Sequence, residues 1–143
     1  MKLFLDTEFN GFNGELLSIA LVPSNKSEPN FYCELDRSNI ELDPWVAENV
    51  AFADSPDELL SREQVQTYLH QYLNRFVNIE IIADWPDDIR YFCELLITGP
   101  GYSIDVPKKK ITFTLDMNIE YESVVPHHAL HDAIGIRNYW KEQ

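Results

Sequence analysis

The chain has 143 residues, 45% of them hydrophobic and 13% aromatic, enough to bury one sizeable core and make a single domain over residues 1–143. Its formal charge of −13 excludes a protein that grips long nucleic acid by electrostatics, because that mode needs a basic surface to displace counterions. No apolar run approaches the ~20 residues of a membrane span and the N-terminus lacks a signal-peptide layout, so a cytoplasmic protein with no membrane partner is expected.

The first element is Leu3-Phe4-Leu5-Asp6-Thr7-Glu8, an apolar run that ends in two carboxylates. Both faces of the run are apolar, the habit of a central strand in an α/β sheet. Successive strand residues alternate faces, so Asp6 and Glu8 point one way and Thr7 the other. Two acids at the mouth of a buried strand repel each other unless a cation sits between them, and a divalent metal fits that place. Asn10 to Gly14 is turn chemistry, with two Asn-Gly pairs suited to positive φ. Leu16 to Val22, closed by Pro23, is a second strand, Ser24 to Asn30 a loop, and Phe31 to Leu35 a third strand. The chain therefore begins as an antiparallel meander.

Between Asp36 and Asp54, Pro44 opens a short helix through Trp45, Val46 and Val50, followed by a loop, and this segment is expected to cover the site. Trp45 is either packing or a surface on which a base stacks. From Arg62 to Phe76, Ser61 and Gln64 form a capping box, and Val65, Tyr68, Leu69, Tyr72, Leu73 and Phe76 recur at helical spacing. Ile79 to Ala83 is a fourth strand, reached by a helical crossover and so parallel to the first. Cys33 and Cys93, far apart in apolar surroundings, read as reduced core thiols.

The stretch Ala83-Asp84-Trp85-Pro86-Asp87-Asp88-Ile89 leaves that strand and enters a helix. Pro86 suits the first turn, and Asp87 and Asp88 suit its positive end. Ordinary capping accounts for such acids, yet α/β sheets also place their sites at the carboxyl ends of strands. Gly99-Pro100-Gly101 marks a loop, and Lys108 to Lys110 is a basic cluster that reads as a solvated turn or a phosphate contact. Ile111 to Leu115 is a fifth strand and Met117 to Val125 is irregular. The last element begins at Pro126, and Leu130, Ala133 and Ile134 give it a core-facing stripe. If the whole segment is helical, His128 shares a face with Asp132; if the helix starts late, His127 is free to reach it.

Asp6-x-Glu8 on the first strand, an acid just inside the helix after the fourth, and His127-x-x-x-x-Asp132 resemble the DEDDh family of 3′-5′ exonucleases. The runs Leu5-Asp6-Thr7-Glu8-Phe9-Asn10-Gly11 and His127-His128-Ala129-Leu130-His131-Asp132-Ala133 are similar to the family in more than their acids, and the resemblance looks closest to a small bacterial and phage exoribonuclease branch. It implies an RNase H-like α/β fold with a mixed central sheet of about five strands, three antiparallel and then parallel ones, flanked by helices. In the middle motif the family places an aspartate four residues after an asparagine. Here Asp84 takes the asparagine position and Asp88 the catalytic one, with Asp84 as the alternative ligand.

The resemblance further implies two Mg²⁺ or Mn²⁺ ions held by Asp6, Glu8, Asp88 and Asp132, with Asp6 bridging them. It makes His127 the general base, a role suited to a side chain type that titrates near pH 6.5. The implied reaction is hydrolysis of single-stranded RNA from its 3′ end to nucleoside 5′-monophosphates. Phe9, Phe12 and Leu17 are the candidate substrate-binding residues beside the first motif. Homodimers are common in the superfamily. DNA as substrate, an inactive binding module, and an acidic mimic of nucleic acid are the alternatives.

Overall fold

The computed structural model describes residues 1–53, 59–105 and 110–142. The apolar run at the N-terminus becomes β1 (Lys2–Phe9), with Leu3 through Thr7 buried. It pairs antiparallel with β2 (Leu16–Pro23), buried along its whole length, and β2 pairs antiparallel with β3 (Phe31–Leu35). Gly11 and Asn13 take positive φ values of 71° and 56° in the turn between β1 and β2, which explains the Asn and Gly content there.

On its other side β1 runs parallel to β5 (Asn78–Ala83), which runs parallel to β8 (Lys110–Leu115). The architecture is α/β, with a mixed sheet in which β3, β2, β1, β5 and β8 lie in that order and one further short strand pairs with β3. That is six strands where about five were expected. The addition is β4 (Leu59–Leu60), two residues beside Glu34 and Leu35, too short to leave an alternating pattern in the sequence. The Gly99-Pro100-Gly101 stretch is likewise more than a loop: it is the turn of a small antiparallel ribbon between β6 (Ile97–Gly99) and β7 (Tyr102–Ser103). Lys108 and Lys109 of the basic cluster lie outside the described residues.

Among the described residues there are four helices: α1 (Pro44–Asn49), and α2 (Arg62–Leu73), α3 (Pro86–Leu96) and α4 (Ala129–Lys141), the last three packed on the sheet. The helix expected to reach Phe76 stops at Leu73, and tight turns carry Arg75 and Phe76 onward, so Phe76 still joins the core. The helix expected from Pro126 starts at Ala129, because His127 has a φ of 63°.

The alternation along β1 divides the core in two. Leu3 and Leu5 point to the face covered by α2 and α3, among Leu69, Leu73, Phe92 and Leu95. Phe4 points to the opposite face, where Ala129, Ala133 and Ile136 of α4 lie against Ala20, Val22 and Ile82. Each fully buried Leu, Ile or Phe stabilises the fold by about 1.5–3 kcal/mol. Cys33 is buried and Cys93 half-buried, both as free thiols, with burial pushing Cys33 up to about 12. Among the described residues no helix is long and apolar enough to cross a membrane.

Candidate active site

The paired positions of β1 and β5 run from Lys2 and Glu80 to Phe4 and Ile82 and stop there. Past that point the two carboxyl ends are free of each other, and Asp6 and Glu8 on β1 and Asp84 after β5 stand at the opening. The N-termini of α3 and α4 deliver Asp88 and Asp132 to the same place. A cavity of about 500 Å³ results, lined by Asp6, Glu8, Asp84, Asp88, His127 and Asp132.

Within it the side chains form two groups. Ligand atoms of Glu8, His127 and Asp132 lie within 4.8 Å of one another, as do those of Asp6, Asp84 and Asp88. The sequence separates Asp84 from Asp88 as alternatives; the fold brings both to the site. It also sets Asp6 beside the middle-motif acids, whereas Glu8 and Asp132 group with the histidine.

Asp88 is oriented by the residue on the other face of β1. Its Oδ1 accepts from the Thr7 backbone N–H at 3.1 Å and from the Thr7 hydroxyl, both buried. One carboxylate oxygen is thereby held, leaving Oδ2 for the cavity. Asp132 Oδ2 accepts from the backbone N–H of His127 at 3.1 Å. His127 faces the cavity on the turn before α4, its ring 5.1 Å from that of Trp45. His128 is buried instead, stacked on Tyr32 at 5.0 Å. Of the two histidines left open by helix geometry, His127 is the one at the site, and its positive φ is the reason.

The electrostatics are those of acids held against their preference. Burial, then repulsion from Asp88, Glu8, Asp132 and Asp84, raises Asp6 well above the usual carboxylate range. Burial and Asp132 push Glu8 up to about 8, and burial pushes Asp88 up to about 7 despite its bonds to Thr7. Burial raises Asp84 and Asp132 as well. Asp6 Oδ2 and Asp132 Oδ1 are buried with no hydrogen-bond partner, an arrangement that costs free energy unless something positive completes it. The oxygen donors of Asp6, Asp84 and Asp88 fit a hard divalent cation, and those of Glu8 and Asp132 stand with a histidine nitrogen. These acidic and histidine groups can hold a metal ion.

Phe9 lines the cavity. Phe12 and Leu17 do not: Phe12 is 93% exposed on the turn, and Leu17 is fully buried because all of β2 is interior. Among the lining residues that escaped the sequence reading, two are aromatic. Trp85 sits within the quoted middle motif but passed as spacing. Tyr121 lies in the irregular stretch, brought in by Gly135 of α4, where a Cβ would stand 2.5 Å from the Tyr121 ring. Burial and four facing carboxylates raise the Tyr121 phenol, so it stays protonated at neutral pH.

The expected cover over the site is present. Asn10 accepts from the Asp43 N–H at 2.7 Å and donates to the Glu41 carbonyl at 2.9 Å, while the Ala51 N–H donates to the His127 carbonyl at 2.9 Å. Buried Glu34 accepts from the Ala53 N–H and the Tyr32 hydroxyl. These bonds pin α1 and its loop beside the cavity. A larger hollow of about 610 Å³ between β3 and α2 contains Glu34 as its one carboxylate and gathers no comparable group. No protein-family model matches the chain and no curated protein matches it, so the functional reading rests on this geometry and on the sequence motifs.

Proposed function

We propose that the protein is a metal-dependent 3′-5′ exoribonuclease with an RNase H-like fold, of the DEDDh type, that hydrolyses single-stranded RNA to nucleoside 5′-monophosphates. The observation that carries this reading is the convergence of Asp6, Glu8, Asp84, Asp88, Asp132 and His127 from separate elements on one cavity, with two buried oxygens unpartnered. The order of those elements, strand, strand-to-helix and final helix, is what the motif resemblance requires. The sheet order, with β1 antiparallel to β2 and parallel to β5, supports the fold assignment.

Two divalent ions, Mg²⁺ or Mn²⁺, would supply charge neutralisation at the phosphate and at the departing 3′ oxygen, and lower the pKa of an attacking water. Asp6, Asp84 and Asp88 would hold one ion and Glu8 and Asp132 the other, with His127, which stands in the second group, kept for the proton. Thr7 holds Asp88 in place with two hydrogen bonds, so the carboxylate does not have to be ordered at each turnover. His127 takes the proton from the attacking water. Water oxygen joins phosphorus, the bond to the 3′ oxygen breaks, and that oxygen is protonated as the shortened strand leaves.

The test is incubation of the purified protein with 5′-labelled single-stranded RNA, and DNA of the same sequence, with Mn²⁺ or chelator, alongside Asp6→Ala. A metal-dependent ladder shortening from the 3′ end, absent in the variant, is expected on RNA. A ladder on DNA alone changes the substrate assignment. No ladder on either strand overturns the enzyme reading and favours the acidic mimic suggested by the −13 charge.

A further inference from the structure

The histidine at the site occupies a backbone conformation that residues with a Cβ rarely adopt. His127 has a φ of 63°, on a turn ahead of α4 rather than inside it. Such a residue keeps its place only where its surroundings fix it. Two bonds meet its backbone directly: its N–H donates to Asp132 Oδ2 at 3.1 Å, and its carbonyl accepts from the Ala51 N–H at 2.9 Å. Ala51 lies on the chain leaving α1, outside any helix or strand, so the second bond is only as firm as whatever holds that chain.

Glu34 holds it. This carboxylate on β3 is 5% exposed and does not line the cavity. Its Oε2 accepts from the Ala53 N–H and from the Tyr32 hydroxyl, each at 2.6 Å. Its Oε1 accepts from the Arg37 guanidinium at 3.1 Å, and that guanidinium lies 3.8 Å over the ring of Phe52. The two residues that follow Ala51 are therefore both tied to one buried charge. A second arm ends beside the histidine itself: the Tyr32 ring, fixed through its hydroxyl, stacks on His128, the residue after His127. A buried carboxylate is unfavourable unless it is paired and hydrogen-bonded, and the bonds that satisfy this one also frame the His127 turn from two sides.

We propose that Glu34 is a positioning residue for His127, fixing its ring in the cavity through residues 51–53 and through Tyr32. The consequence for turnover rests on the nuclease reading; the hold on the turn does not. Because Glu34 stands outside the cavity, it acts through His127 and not on the phosphate. A misplaced base slows the chemical step without weakening substrate binding, so loss of Glu34 lowers kcat and leaves KM.

Glu34→Leu removes the acceptors at similar volume, and Glu34→Gln keeps an oxygen for the Ala53 N–H. With Mn²⁺ and single-stranded RNA, Glu34→Leu is expected to lower kcat about 10-fold at near-constant KM, and Glu34→Gln to regain most of the loss. Added to His127→Ala, Glu34→Leu should cost no further rate, since no ring is left to position. In metal-free protein, hydrogen exchange at the Ala51 and His127 amides should quicken about 10-fold in Glu34→Leu, while Leu69 in α2 stays as protected as before. An unchanged kcat, or the same fractional loss with and without His127, overturns the positioning role and leaves the nuclease reading standing. Ala51 and His127 amides that exchange as in the wild type overturn it whatever the activity, and so does a general loosening that includes Leu69. If those two amides alone quicken and the wild type cleaves no RNA, the positioning role stands and the nuclease reading falls. Should Glu34→Leu fail to fold, Arg37→Met at a partly exposed position decides by the same readouts, with effects of about 3-fold expected.

Discussion

The N-terminus of α2 is complete in itself, whereas those of α3 and α4 are not. At α2 the Ser61 hydroxyl accepts from the Gln64 N–H and the Gln64 side chain accepts from the Ser61 N–H, so two otherwise orphaned donors are satisfied within four residues. Neither α3 nor α4 has any side-chain cap, although each carries an acid in its first turn. Those acids, Asp88 and Asp132, are turned to other partners: Asp88 to Thr7 across the chain, and Asp132 to the His127 N–H with its second oxygen buried and unpartnered. Local stability has been left incomplete at the two helix ends that meet the cavity. Their positive dipole ends point at the same carboxylates and soften the repulsion among them without neutralising it.

Removing a carboxylate from the cavity breaks that comparison most severely. Asp6→Asn keeps the volume, and is expected to reduce metal-dependent cleavage about 100-fold or more, measured as kcat/KM on single-stranded RNA. Its stability should rise when metal is absent, because a buried acid repelled by Asp88, Glu8, Asp132 and Asp84 is gone. Loss of activity with unchanged metal-free stability would mean the acids are less crowded than the fold implies. Thr7→Val should come next. It deletes the hydroxyl bond to Asp88 and leaves the backbone one, so a loss of about 10-fold in kcat is expected, at the lower end for residues that orient metal ligands.

The pH dependence follows from the raised carboxyls. Unfolded Asp and Glu titrate near pH 4, while Glu8 and Asp88 in the fold are pushed up to about 8 and about 7. Between those values the folded state binds more protons than the unfolded one, so metal-free stability must fall as pH rises from about 4 to about 8. Chemical denaturation in chelator at pH 5, 6, 7 and 8 reads this directly. Added Mg²⁺ or Mn²⁺ should reverse the trend, contributing about 2.7 kcal/mol at one hundred times its dissociation constant. A metal-independent melt at pH 8 would count against any occupancy of the cavity.

What could be read from the sequence follows the same division. The strand ending in Asp6 and Glu8 and the Ser61–Gln64 box are local patterns, and the fold keeps both where the sequence puts them. The choice between Asp84 and Asp88 turns on position in space, since Asp88 is held by Thr7, 81 residues away in the chain, and the fold brings both acids to the cavity. The choice between His127 and His128 needed one positive φ, which no periodicity reveals. Tyr121 reaches the cavity only because Gly135 has no Cβ, a close approach between two segments that looked unrelated. Phe12 and Leu17 went astray for the opposite reason, since nearness to the first motif along the chain does not convert into nearness to the cavity when the turn projects outward and β2 is wholly interior.

The mildest change sharpens the comparison from the side of the complete helix. Ser61→Ala removes the acceptor for the Gln64 N–H and is expected to cost about 1 kcal/mol of stability. In a chain of this size that is a drop of roughly 3–5 °C in Tm. Ser61 does not line the carboxylate cavity, so kcat/KM at a temperature well below the melt should stay unchanged. Set beside Thr7→Val, which also removes one hydroxyl hydrogen bond, the pair separates stability from positioning: both lower Tm, and the threonine change alone lowers kcat. Should Ser61→Ala reduce kcat as much as Thr7→Val does, the site is sensitive to general loosening of the fold, and the incomplete caps of α3 and α4 have no special tie to it.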